Sequence, residues 1–237
     1  MLYLLPNLLA DHGEPQDQLS QAVCLAVPTI DFLIAENEKE ARRFLKRFIY
    51  PAPKTFRDIP IHLLNEHTTA AQKKELIDLL SKGGCWGLIS DCGMPCLADP
   101  GADIVLMARE RGIPVKAFSG PSSILLTLIL SGLGGQHFTF HGYLPKEENA
   151  LMAAMKKIER TSKEQQSTHL FIETPYRNQK LLQKLLSVLE PTTYLCIACD
   201  LTLPTEQVWT QRVSHWKKQS LPQLDDRPAV FALKSNG

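Results

Sequence analysis

The sequence predicts an α/β protein built as two lobes. Short apolar runs of strand length alternate with stretches of helical periodicity along the chain. Turns rich in glycine, proline and serine mark many of the changeovers. No internal repeat or low-complexity tract interrupts the pattern. Alternation of this kind favours helices packed on mostly parallel sheets.

Taken in order, residues 2–5 and 31–35 (DFLIA) read as strands, and 39–48 as a basic helix. Residues 69–82 form a helix that opens on a Thr69-to-Gln72 capping box and stops at Gly83 and Gly84. Its apolar stripe is Leu76, Ile77, Leu79 and Leu80. A buried strand at 85–90, a helix at 102–111 ended by Gly112, and a strand at 113–118 follow. The break at 119–123 leads into an apolar helix that ends at Gly132, and it divides the chain into lobes 1–118 and 119–237. Strands at 137–141, 169–172, 194–199, 208–213 and 229–233, with helices at 146–164 and 177–189, make up the second half.

The chain has 237 residues and a net charge of +1, which excludes a globally basic nucleic-acid binder but allows a local basic patch. Its six cysteines lie mostly in apolar stretches, which suits reduced thiols in a cytoplasmic protein. The start of the chain lacks the basic leader of a signal peptide, and the apolar run 124–130 is too short to span a bilayer, so no membrane association is expected. No phosphate-loop, dinucleotide, His-Glu-x-x-His or Gly-x-Ser-x-Gly spacing occurs. Cys92 and Cys96 are spaced like metal ligands. Cys196 and Cys199, however, lie in an apolar strand that would turn them to opposite faces, so no metal site is expected.

Three loops leave a strand end and enter a helix, the place where ligands bind in open α/β sheets. The first is Ser90-Asp91-Cys92-Gly93-Met94-Pro95-Cys96-Leu97-Ala98-Asp99-Pro100-Gly101. Gly93 allows a ligand close to the backbone, although a rigid turn with no ligand has the same composition. The second is the 119–123 turn, whose Ser122 and Ser123 could cap a helix or bond a ligand. The third runs from Phe171 through Glu173 to Arg177, where Glu173 could bind a ligand or complement a helix dipole.

These loops, with His141-Gly-Tyr-Leu-Pro145, resemble the class III S-adenosylmethionine-dependent methyltransferases, the tetrapyrrole-methylase-like family. The likeness is greatest to the branch that contains a ribosomal small-subunit RNA methyltransferase acting on a cytidine ribose 2′-oxygen. All four motifs occur in family order, and the likeness runs from about Tyr3 to Leu233. The resemblance implies a two-lobed fold with S-adenosylmethionine in the cleft between lobes, and a homodimer. It implies donor contacts from Asp91, Cys92, Gly93, Met94 and Leu97, from Ser122 and Ser123, and from Glu173, Leu201 and Pro228. It implies ribosomal RNA or the small ribosomal subunit as acceptor. A tetrapyrrole or other small-molecule acceptor, or a non-catalytic donor- or RNA-binding role, are the alternatives.

The chain departs from the family where the acceptor should bind, at Leu5-Pro6-Asn7-Leu8 and at Glu36-Asn37-Glu38-Lys39, and it ends near the last strand. A ribose hydroxyl must also lose its proton. Glu36, His67 and Arg177 are the candidates for that chemistry, each with an ordinary surface or ion-pair role as the other reading. The basic stretches Lys39, Arg42, Arg43, Lys46 and Arg47, and Lys156, Lys157, Arg160 and Lys163, would either meet RNA phosphates or form solvated helix faces.

Overall fold

The computed structural model describes residues 1–10 and 15–235. The chain forms two compact units, Met1–Ser122 and Ser123–Gly237.

In the first unit, β1 (Leu2–Leu4) is followed by two short helices, α1 (Pro15–Gln18) and α2 (Gln21–Ala26). Then come β2 (Phe32–Ala35), α3 (Glu38–Lys46), β3 (Ile61–Leu63), α4 (Ala70–Ser81), β4 (Trp86–Leu88), α5 (Ala102–Glu110) and β5 (Val115–Ala117). The strands pair in the order β3-β2-β4-β1-β5, and all pairs are parallel. Apolar side chains project to both faces, as a covered parallel sheet requires. Leu33, Leu5 and Ile89 pack with Phe44 and Leu45 of α3 on one side, while Ile34, Trp86 and Leu88 pack with Leu76, Ile77 and Leu80 of α4 on the other. The Thr69–Gln72 capping box opens α4 with both reciprocal bonds made. Leu79, expected in the apolar stripe, is instead exposed; one turn carries only three inward positions, and Leu76, Ile77 and Leu80 fill them.

The second unit opens with α6 (Ser123–Ser131), then β6 (Phe138–Tyr143), α7 (Glu148–Gln165), β7 (Thr168–Ile172), α8 (Asn178–Val188), β8 (Tyr194–Cys199), β9 (Gln207–Arg212), α9 (Val213–Trp216) and β10 (Ala229–Lys234). The sheet order is β6-β7-β10-β8-β9. Only β6 and β7 pair in parallel; the other three ladders are antiparallel. Among the described residues, the mostly parallel pairing expected from the sequence holds in the first sheet but not in the second. No crossover helix separates β8 from β9, and the connections of this half turn back along the sheet. Cys199 packs with Leu195 and Ile197 on the α7–α8 side, whereas Cys196 faces Ile124 and Leu128 of α6, so alternation does turn the two thiols apart.

Candidate active site

All five strands of the first sheet end at the same edge, because they are parallel. The loops after β1, β2, β4 and β5 therefore gather there. Two main-chain bonds tie the first and third of them together: Asn7 N–H donates to Gly93 O (2.8 Å) and Gly93 N–H to Leu8 O (3.3 Å). The buried Asn7 side chain completes the join, with Nδ2 donating to Ser90 O (3.1 Å) and Asp91 O (2.8 Å) and Oδ1 accepting from Leu8 N–H. The sequence had marked Asn7 only as part of a shortened turn. A polar residue just past a strand end, after a proline that cannot donate, was the signal for this clamp.

The 119–123 turn closes against the same loops. A Cβ added at Gly120 would fall 2.1 Å from Pro6 Cβ and 3.6 Å from Met94 Sδ, so only glycine allows this approach. Gly93 has φ +70°, and a Cβ there would meet Leu9 at 3.1 Å and Pro121 O at 3.6 Å. Asp91, Cys92, Gly93, Met94 and Ser122 are thus brought to one edge, with Leu97 exposed farther along the loop. A solvent-open cleft of about 500 Å³ beside them is lined in part by Asn7, Arg43, Arg47, Asp91 and Cys92.

Glu36 follows β2 at this edge, next to Asp91. Its Oε1 is buried with no hydrogen-bond partner. Burial, reinforced by the charges of Asp99 and Asp91, raises its carboxyl to about 7, against the lowering effect of the Asp91 amide. Asp91 and Asp99 are raised as well, each chiefly by burial, with Glu40 adding to the first; at Asp99 the Ser90 hydroxyl opposes the rise and Asp91 adds to it. Three carboxylates crowd one edge, and a positively charged ligand would relieve them. Among the described residues no three of His, Cys, Asp and Glu are placed to share a metal ion.

His67 lies beyond β3, the edge strand, two strands from β4. Its side chain is 85% exposed and faces Glu66 at 3.6 Å, away from this cluster. In the basic helix, Arg42 donates to the carbonyls of Phe56 and Ile59, and Arg43 pairs with Glu40.

In the second unit, the ends of β7 and β8 and the start of β10 lie at one sheet edge, as their antiparallel ladders require. Glu173, Leu201 and Pro228 are gathered there. Asp200 N–H donates to Pro228 O (3.0 Å), which fixes Leu201 beside the β10 start. Glu173 is buried, accepts from Thr174 N–H (2.8 Å) and pairs with Arg177 at 3.2 Å. Arg177 is therefore held in an ion pair. Ser123 begins α6 in the same unit.

The family model of the tetrapyrrole (corrin/porphyrin) methylases matches residues 16–216. The chain belongs to the tetrapyrrole methylase family. Among its relatives in this family, the Ribosomal RNA small subunit methyltransferase I of Vibrio cholerae serotype O1 is 28% identical over 208 residues, 88% of this chain and 67% of that protein. The enzyme of the same name from Streptococcus pyogenes serotype M6 is 33% identical over 186 residues, 78% of this chain and 60% of that protein. The chain thus spans 60% to 67% of the length of these two relatives. Its fold is also that of the methyltransferase CobJ, with a TM-score of 0.65 at 12% identity over 99% of this chain and 93% of that one. A uroporphyrin-III C-methyltransferase from Thermus thermophilus, solved in complex with S-adenosyl homocysteine, superposes with a TM-score of 0.57 at 14% identity, over 98% of this chain and 96% of that one.

Proposed function

We propose that this protein is an S-adenosylmethionine-dependent methyltransferase that modifies a ribose 2′-oxygen of ribosomal RNA in the small subunit. The observation that carries the reading is the meeting of two motif-bearing loops, 90–101 and 119–123, at the carboxyl edge of the parallel sheet. The names of the sequence relatives support the choice of acceptor.

The donor is a sulfonium cation, and it fits an edge where Glu36 Oε1 is buried without a partner among three carboxylates. Asp91, Cys92, Gly93, Met94, Leu97 and Ser122 would hold it, and the family resemblance adds Ser123, Glu173, Leu201 and Pro228 to its contacts. When bound, it supplies an activated methyl group, so the chain need not provide a nucleophile. The chain must hold the acceptor oxygen in place, exclude water and accept a proton. Glu36 is the group assigned to that proton, because a base near pKa 7 is half ionised at neutral pH. Arg177, held by Glu173, positions the second-unit wall rather than reacting.

A cytoplasmic location follows from a ribosomal acceptor; among the described residues no helix is long and apolar enough to cross a membrane. A homodimer is supported by the exposed apolar side chains Leu125, Ile129 and Leu130 on α6, opposite the face packed on the sheet. Light scattering should give a dimer mass that Ile129→Glu lowers; a wild-type monomer removes this part of the reading.

The deciding experiment is tritiated-methyl transfer from S-adenosylmethionine to small ribosomal subunits of cells lacking this gene. Label in a 2′-O-methylated ribose is expected. Donor binding with no label in any RNA would refute the reading.

A further inference from the structure

A second cleft opens in the second unit between the start of α7 and α8. Its charged lining is Lys146, Arg177, Lys180 and Lys184 with Glu148 and Glu173. Both carboxylates are already engaged, Glu173 with Arg177 and Glu148 with Lys184. Among the described residues, Lys146 and Lys180 form no ion pair within 4 Å, although the Lys180 charge acts on Glu148, and both are exposed. Lys180 sits in the first turn of α8, where the helix dipole disfavours a cation. That turn has no acidic residue to offset the charge. Leu151 and Leu181, both buried, form the apolar floor. A cleft with surplus positive charge is complementary to a phosphate group. Tyr176, directly before Arg177 in the sequence, is 67% exposed, and an exposed ring suits an unpaired base.

We infer that this cleft holds the sugar-phosphate backbone of a single-stranded stretch of the RNA acceptor, with Lys146 and Lys180 contacting phosphates and Tyr176 stacking on a base. The inference rests on the RNA-methyltransferase reading. It differs from the basic helix faces, because here the cations converge on a concavity. An acidic protein segment would meet the lysines but gain nothing from the ring.

The test compares wild-type protein with Lys146→Gln/Lys180→Gln and with Tyr176→Ala. Binding of fluorescein-labelled dodecauridylate is followed across a salt series, donor affinity by calorimetry, and methyl transfer to small subunits. The exposed positions leave the fold intact. The double variant should bind the oligonucleotide about 10-fold more weakly, and its log K against log salt should flatten by about 1.4, two single-strand phosphate contacts. Tyr176→Ala should weaken binding without changing the slope. Donor affinity should not change; a drop would assign the cleft to the donor carboxylate and overturn the inference. Wild-type protein that methylates RNA while the double variant keeps its slope overturns the inference alone. Wild-type protein that neither binds nor methylates RNA overturns the underlying reading and the inference with it.

Discussion

Replacing Glu36 with glutamine should stabilise the protein, and the gain should depend on pH. The carboxyl is raised from 4.5 to about 7 by burial and by its acidic neighbours. Between those values the unfolded chain carries an ionised Glu36 while the folded chain keeps it protonated. The folded state then binds more protons, so stability is full below about pH 4.5 and falls as pH rises toward 7. A shift of about 2.5 units at 1.36 kcal/mol each sets a ceiling of about 3.4 kcal/mol. Part of the group reaches solvent, so about 2 kcal/mol is the expected gain at pH 8. At pH 5 the folded form is protonated and the unfolded form only partly ionised, which leaves a gain below about 1 kcal/mol. Urea unfolding of both proteins at pH 5, 6, 7 and 8, followed by circular dichroism, measures the difference directly. An equal gain at pH 5 and pH 8, or none at pH 8, would refute the argument.

Three further outcomes follow from the same edge. Gly120→Ala drives a methyl to 2.1 Å from Pro6, so it should cost about 3 kcal/mol and weaken donor binding, read by thermal unfolding and calorimetry. Asn7→Ala leaves the Ser90 and Asp91 carbonyls without their donor and should cost about 2 kcal/mol, with donor affinity falling more than stability alone explains. S-adenosylmethionine carries a positive charge that its demethylated product lacks. Its advantage in affinity should therefore grow several-fold from pH 6 to pH 8 as Glu36 ionises beside Asp91 and Asp99. A constant ratio would show that these carboxylates do not face the sulfur.

Local rules made much of the fold readable. The Thr69–Gln72 box fixed the start of α4, and strand alternation separated Cys196 from Cys199. The three-residue β3 and the short α1 and α2 escaped notice, since elements so brief hold too few residues to show a period. Strand direction in the second sheet was also hidden, because alternation is the same in parallel and antiparallel pairs. At the site, the motif loops could be named from sequence, but not the contact that brings them together. That contact depends on Gly120 meeting Pro6, residues 114 positions apart, and on Asn7 bridging to residue 90. Glu36 was visible only as an acidic residue after a strand; its crowding by Asp91 and Asp99 arises from the sheet order β2-β4.

The state of Glu36 allows structural and chemical roles to be separated. A carboxylate kept for structure would be bonded through both oxygens, and its loss would lower stability. Here Oε1 has no partner, and ionisation works against the fold. A destabilising group of this kind persists where function offsets its cost. Glutamine keeps the shape and removes the proton-accepting oxygen. If Glu36 accepts the ribose proton, Glu36→Gln should lose roughly 10²-fold or more in kcat at saturating donor, with the pH dependence near 7 abolished. A structural carboxylate predicts the opposite pairing, a less stable protein whose remaining folded fraction turns over at the normal rate. Measuring stability and kcat on the same variant therefore separates the two roles.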